Sequence, residues 1–366
     1  MVNEIFIVTP GPIERPGGME RFLQYVASGF HERGYAVRVF HIDNTVPERW
    51  RHPDHKNKIK RLLADVAAGI YIGRAVNKAL HPGVRLILSN STVGWYPIKR
   101  RVKQAHFLHG TYRGQAEAIR PFITYIGYLK LKWWDAMIFE RLSGKNKTAL
   151  CCSEQTRNEI RRYFKYPADV MWYPIDLNHF RKMDRSYCRD RLGLGEGPVG
   201  LFVGSAGPVK GPHVVEHLAR SFPNITMLIA LRGNIPQEFA RLSNAKIYQN
   251  AEYNLLPILY NAADFSLCPS RYDSFPFVVS EALACGTPVI CSPHGASLAY
   301  YDEPAMKVLL SKSADDLEGF ERAVRLVLSD STGWRELIQK NVRAKLEERM
   351  SPENWWKKFL HSTDLE

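Results

Sequence analysis

Cysteine is scarce in this chain: six residues in 366, at Cys151, Cys152, Cys188, Cys268, Cys285 and Cys291, with no Cys-x-x-Cys pair. That spacing excludes a zinc ribbon and a thioredoxin-type centre. Thiols set mostly in apolar surroundings fit a reduced, intracellular protein. Long apolar runs are missing too. None reaches the ~18–20 residues of a membrane span, and the nearest, Pro121–Leu142, is broken by Lys130, Lys132, Asp135 and Glu140. Met1-Val2-Asn3-Glu4 has no basic n-region, so no signal peptide is expected. No Gly-x-Gly-x-x-Gly fingerprint follows a predicted strand, which argues against a dinucleotide enzyme. There is no Asp-x-Asp pair to hold a catalytic metal, no short repeat and no low-complexity segment.

Acidic residues are in deficit, and only in one half. Residues 1–180 hold 28 Lys/Arg against 15 Asp/Glu, whereas residues 181–366 hold 22 of each, so the net +13 lies entirely in the first half. Such asymmetry points to an anionic partner for that half: a membrane, a nucleic acid or a phosphorylated ligand. No helix-turn-helix, zinc or RNA-recognition signature supports the nucleic acid. With 45% hydrophobic and 24% charged residues the chain is globular, and its length suits two domains, or three.

Strand and helix patterns alternate. Short apolar runs at Glu4–Val8, Ala36–Phe40, Leu86–Leu88, His106–Leu108 and Ala149–Cys152 read as strands. Helical spacing separates them at Met19–Gly34 and Lys56–Leu80, and Ser153 is an expected N-cap for a helix through Tyr163. The rhythm restarts at Val199–Val203, with strands at Thr226–Ala230, Lys246–Gln249, Phe265–Leu267 and Val289–Cys291. Helices are expected at His213–Ser221, from Ser280 to Ala284, at Leu317–Leu328 and at Trp334–Glu348. This predicts α/β units with parallel sheets, joined by a hinge in the polar stretch Pro174–Arg189. Ser351-Pro352-Glu353 looks like the start of a last, amphipathic helix bearing Trp355, Trp356 and Phe359.

Five constellations could carry chemistry. Pro16-Gly17-Gly18 joins the first strand to a helix and would let a phosphate or charged sugar approach the backbone, though a glycine pair also serves as a plain tight turn. Gly204-Ser205-Ala206-Gly207-Pro208-Val209-Lys210 repeats that geometry. Lys210 stands just ahead of a helix, where the macrodipole disfavours a cation unless an anion neutralises it or solvent screens it. In the run from Ser270 to Ile290, Asp273 and Glu281 flank the apolar stretch Phe275–Val279. Two carboxylates on either side of exposed amides can each accept from a pair of sugar hydroxyls. His109 ends a strand and precedes Gly110, facing a cleft or a structural partner. Finally, Lys99-Arg100-Arg101-Val102-Lys103 and Tyr128-Leu129-Lys130-Leu131-Lys132-Trp133-Trp134, with Lys56–Arg61, mix basic and aromatic residues as an anionic membrane interface would, or as an ordinary packed helix does over Tyr128–Leu142.

The run Leu256–Asp264 through Ser270-Arg271, Asp273, Glu281-Ala282-Leu283-Ala284-Cys285-Gly286-Thr287-Pro288-Val289-Ile290 closely resembles the signature of family 4 retaining glycosyltransferases (glycosyl transferases group 1). The likeness is strongest over residues 201–296. The Gly17-Gly18 loop, His109-Gly110, Cys152-Ser153-Glu154 and Tyr173-Pro174-Ile175-Asp176 extend it in the same order. It implies a GT-B fold, two Rossmann-like parallel-sheet domains facing across a cleft: an acceptor domain over 1–178, a nucleotide-sugar domain over 179–351, and helix 352–366 crossing back onto the first.

The resemblance also assigns residues. Asp273 would contact the donor sugar and Glu281 the ribose. Lys210 and the amides of the stretch Phe275–Val278 (Phe275, Phe277 and Val278, Pro276 having no N–H), with Ser274, Gly204 and Ser205 nearby, would hold the diphosphate. His109 would lie beside the sugar, and Gly17 and Gly18 would line the phosphate and acceptor side. His109, Asp273 and Lys210 are thus the expected catalytic set. Lys99, Arg100, Arg101, Lys103, Lys130, Lys132, Trp133 and Trp134 form an expected acceptor or membrane surface. No metal and no cofactor are implied, the UDP-, GDP- or ADP-linked sugar being a substrate. The acceptor would be a glycan or lipid-linked molecule of the cell envelope, reached from the cytoplasm or from the cytoplasmic membrane face.

Two departures stand out. The family's first acid is usually Glu, where this chain has the shorter Asp273, and the Arg usual five residues before its lysine is here Ser205. Arg232 and Arg271 are the candidates to replace it. Competing readings are a non-catalytic GT-B scaffold and a sugar-nucleotide epimerase.

Overall fold

The computed structural model describes every residue except 1, 16, 52–57, 100, 296–303 and 366. The chain forms two compact units, Met1–Tyr173 with Trp356–Glu366, and Pro174–Trp355. Pro16, Lys56, Asn57, Arg100 and Ala296, singled out above, lie outside the described residues.

The first unit is a six-stranded sheet in the order β2-β1-β3-β4-β5-β6. Its strands are β1 (Glu4–Val8), β2 (Ala36–Phe40), β3 (Val84–Asn90), β4 (Lys103–Leu108), β5 (Thr148–Cys151) and β6 (Asp169–Val170), and all neighbours are parallel. β1 is buried along its whole length because helices cover both faces, which is why it reads as an unbroken apolar run. On one face Phe6 and Val8 pack with Ile72 and Val76 of helix Lys58–Ala79. Helix Gly18–Glu32 also buries its apolar stripe, and its Phe30 meets Trp356 and Phe359 edge-on.

The second unit is a five-stranded parallel sheet in the order β11-β10-β7-β8-β9: β7 (Val199–Ser205), β8 (Thr226–Arg232), β9 (Ala245–Gln249), β10 (Phe265–Cys268) and β11 (Val289–Cys291). Both sheets begin with an inner strand, so each contains a point where strand order reverses. In such sheets ligands bind beyond the strands' carboxyl ends at that point.

Several expectations need correction. The boundary between the units falls at Tyr173–Pro174, the start of the stretch in which the hinge is expected, and that stretch runs into a helix, Arg185–Arg191, capped by Asp184, whose Arg185 and Arg189 both pair with Asp264. Buried Asp264 requires those cations, which pins the stretch to the second unit. The helix expected to open at Ser280 starts at Phe277, directly after Pro276, and is buried on all sides from Val279 to Ala284. Trp334–Glu348 divides at Val342 into helices Ser331–Asn341 and Arg343–Met350, with Ile338, Val342 and Leu346 all buried. Helix Tyr112–Ile119 and strand β6 had no counterpart in the pattern reading. Residues Tyr125–Gly144 are helical, with a wider π-type pitch over Lys130–Glu140. Among the described residues no helix is long and apolar enough to cross a membrane. All six cysteines are buried, and none forms a disulfide.

Candidate active site

In the second unit, strand order reverses between β7 and β10. β7 ends at Gly204-Ser205, and the loop after it leads through Ala206 and Gly207 to a short 3-10 turn, Pro208–Lys210. Gly211 then takes φ +66, and a Cβ there would stand 2.1 Å from the Pro269 carbonyl oxygen. Only glycine lets the two loops approach so closely. Arg271 staples them further. Its backbone N–H donates to Val209 O at 2.7 Å, its guanidinium donates to Pro208 O at 2.8 Å, and the same guanidinium pairs with Asp315.

This approach delivers Lys210 onto Asp273, 63 residues further along, in a direct ion pair. Burial works against the Lys210 ammonium, but the adjoining Asp273 carboxylate outweighs it and raises the lysine's pKa. Asp273 lies in the loop beyond β10. Beside it Ser274 is buried, and its hydroxyl has no hydrogen-bond partner among the described residues. The helix that follows, Phe277–Ala284, starts directly after Pro276, so Phe277 and Val278 occupy its first turn. The apolar stretch between the two carboxylates is therefore a helix N-terminus, which carries positive potential. Glu281, one turn on, is 2% exposed and accepts from Tyr260 Oη at 2.9 Å.

Sequence reasoning missed part of the floor of this site. His294 is buried beneath the loop, with Nε2 3.4 Å from Cys268 O, and burial holds its pKa low. Ser292 donates to Ser270 O at 2.6 Å. Gly295 has φ +47, and a Cβ there would fall 2.2 Å from Asp273 O. The small residues after β11 were the available signal, but only the pairing of β11 with β10 brings them to Asp273.

In the first unit, His109 follows β4 and stacks among aromatic rings: Phe107 at 5.0 Å, Phe22 at 5.5 Å and Tyr173 at 5.8 Å between centroids. Its Nδ1 hydrogen-bonds Tyr173 Oη, and its Nε2 is 3.4 Å from Asn90 Nδ2, at the end of β3. Burial lowers its pKa to about 3, so the imidazole is neutral at pH 7. Gly17 caps the helix that Gly18 begins.

The basic and aromatic residues part company. Lys130 pairs with Asp65 and Asp135, and Lys132 with Glu117, so their charges are already met within the unit. Trp134 packs edge-on against Phe139, while Trp133 is exposed. Lys99, Arg101 and Lys103 are exposed, Lys103 donating to Asp364 O. Among the described residues no group of three or more His, Cys, Asp or Glu side chains is arranged to hold a metal ion.

Known proteins share this fold. Solved structures with the same fold include sucrose-phosphate synthase from Thermosynechococcus elongatus (TM-score 0.78, 19% identity, 98% of this chain and 97% of that one). Anabaena HepE, in complex with UDP and glucose, is another (TM-score 0.69, 17% identity, 100% of both chains). At these identities the likeness is one of fold. In sequence, D-inositol 3-phosphate glycosyltransferase of Mycobacterium leprae (strain Br4923) is 33% identical over 141 residues, 35% of this chain and 33% of that protein. The same-named protein of Mycobacterium tuberculosis (strain F11) is 32% identical over 158 residues, 39% of this chain and 33% of that protein. The match thus spans about a third of these relatives' length. Two family models match in succession, Glycosyltransferase Family 4 over residues 16–179 and Glycosyl transferases group 1 over residues 188–349. With both models matched in order and the two parallel α/β sheets they require in place, the chain belongs to the group 1 glycosyltransferases of the GT-B fold.

Proposed function

We propose that the chain transfers a sugar from a nucleotide-sugar to an acceptor, with retention at the anomeric carbon and without a metal ion. One observation carries the reading: Lys210 and Asp273 meet where strand order reverses, at the N-terminus of helix Phe277–Ala284. A cation, a carboxylate and the positive end of a helix around one switch point suit a sugar diphosphate. The Phe277 and Val278 amides and Lys210 take the diphosphate, stabilising the charge that develops as it leaves. Lys210 exchanges Asp273 for phosphate, and the released Asp273 carboxylate accepts from sugar hydroxyls. Glu281, oriented by Tyr260, accepts from the ribose. His109 donates to or accepts from the sugar as a neutral imidazole, and the departing phosphate assists removal of the acceptor proton.

The acceptor we propose is anionic and associated with a membrane surface or the cell envelope. The support is the +13 concentrated in residues 1–180 and the mycobacterial relatives, which are named for an inositol phosphate. The candidate donors are UDP-, GDP- and ADP-sugars. UDP accompanies glucose in the HepE structure, and ADP is bound in a starch synthase of the same fold.

A thermal-shift screen against UDP, GDP, ADP and their sugar conjugates, with and without EDTA, tests the reading. A ligand at ~100 times its Kd adds about 2.7 kcal/mol to the folded state. One nucleotide is expected to raise the melting temperature regardless of EDTA. No shift with any of them would favour a non-catalytic scaffold instead.

A further inference from the structure

We propose that Arg232 is a diphosphate-binding residue of the donor site, supplying from β8 the cation that Ser205 does not supply from β7. The proposal rests on the donor-site reading above and names one more residue in it.

The placement follows from strand register. Ser205 and Arg232 are Cα partners at the last paired position of β7 and β8, at the carboxyl edge where the Ala206–Lys210 loop begins. Neighbouring strands stand ~4.8 Å apart, and register partners project to the same face. The two side chains therefore start from one spot on the sheet, and an arginine is long enough to serve the neighbour's position. Arg232 is exposed. Its charge is felt at Lys210, where it opposes the ammonium.

Two other basic side chains stand at this edge. Lys210 faces Asp273. Arg271 is shut in: its side chain is 8% exposed, pairs with Asp315, donates to Pro208 O and lies 3.2–3.3 Å from the His213 ring nitrogens. It fastens the loop and presents no face to a ligand. A nucleoside diphosphate carries two or more negative charges, more than Lys210 alone balances.

The backbone after Arg232 is braced as a binding residue requires. Gly233 turns with φ +92, its N–H donates to Asn250 Oδ1 at 3.1 Å, and its carbonyl accepts from Gln249 Nε2 at 3.0 Å. The guanidinium thus projects from a fixed base, and its planar fork matches two phosphate oxygens at once.

Isothermal titration of the full chain with UDP, GDP and ADP, and with the matching nucleosides, tests this in wild type, Arg232→Ala and Arg232→Gln. The nucleoside diphosphate that binds wild type is expected to bind both variants at least tenfold more weakly. The nucleoside should change less than twofold. Adding Ser205→Arg to Arg232→Ala should recover most of the loss. Equal diphosphate affinity in wild type and both variants would overturn the assignment of Arg232 while leaving the donor site standing. So would an equal loss for nucleoside and diphosphate, or a loss that Ser205→Arg leaves untouched. If no nucleoside diphosphate binds wild type, the donor-site reading falls, and this proposal with it.

Discussion

His109 illustrates how environment rewrites a side chain. In the unfolded chain it titrates near 6.5, but within its aromatic surroundings it binds a proton only at about pH 3. Between those values the unfolded state holds a proton that the native state refuses, so stability is full above pH 6.5 and is lost as pH falls. Buried His106 and His294 act in the same direction. Glu140, whose pKa burial raises, acts oppositely above pH 4.5. Replacing His109 by Asn isolates its share: urea unfolding at pH 7 and pH 5 should show up to about 2 kcal/mol less pH dependence in the variant. Identical dependence in the two proteins would mean that the fold leaves the proton affinity of His109 unchanged. Nothing in the sequence announced this neutrality. His109 stood out by its place before Gly110, whereas Tyr173, its hydrogen-bond partner, lies 64 residues away.

Elements were legible wherever apolar periodicity was strong. β1, β2 and the helix capped by Ser153 lie where the pattern put them. The misses have physical causes. Helix Arg185–Arg191 is polar because its arginines serve Asp264, a partner some 75 residues away. Helix Phe277–Ala284 starts early because Pro276 can end a loop as readily as continue one. The crossing of the β7 and β10 loops supplies a test. Gly211→Ala forces a Cβ into the Pro269 carbonyl at a left-handed φ, so it should cost at least about 1–3 kcal/mol of stability and weaken nucleotide binding. Gly195, with nothing within 4 Å of its Cβ direction, is the control, and Gly195→Ala should stay within about 0.5 kcal/mol of wild type. Thermal unfolding distinguishes them, and equal melting temperatures would refute the close-approach argument.

For the molecule as a whole, charge distribution is the feature that reaches furthest. If the excess of Lys and Arg in residues 1–180 faces an anionic membrane, sedimentation with anionic vesicles should show binding that weakens with salt, and neutral vesicles should show little. Each Lys or Arg near such a surface contributes about 1 kcal/mol. Lys99→Glu with Arg101→Glu should therefore reduce binding by tenfold or more. Lys130→Gln with Lys132→Gln should change it little, because Asp65, Asp135 and Glu117 already offset those charges. Equal effects of the two pairs, or no vesicle binding at all, would argue for a soluble anionic acceptor.

By itself the sequence determined the α/β class, the two sets of strands, the family and the identities of Lys210, Asp273, Glu281 and His109. Those rest on local pattern: buried parallel strands must be apolar throughout, and loops that bind phosphate keep their glycines and their lysine. Tertiary structure alone decided which residues meet. Sheet order sets β7 beside β10 and β8, so Lys210 finds Asp273 and Ser205 gains Arg232 as its neighbour. It also decided which charges remain outward-facing, sparing Lys99 and Arg101 while enclosing Lys130 and Lys132. A charge in a sequence has no partner until strand order and helix packing bring one within reach, and Coulomb attraction acts on that distance rather than on separation along the chain.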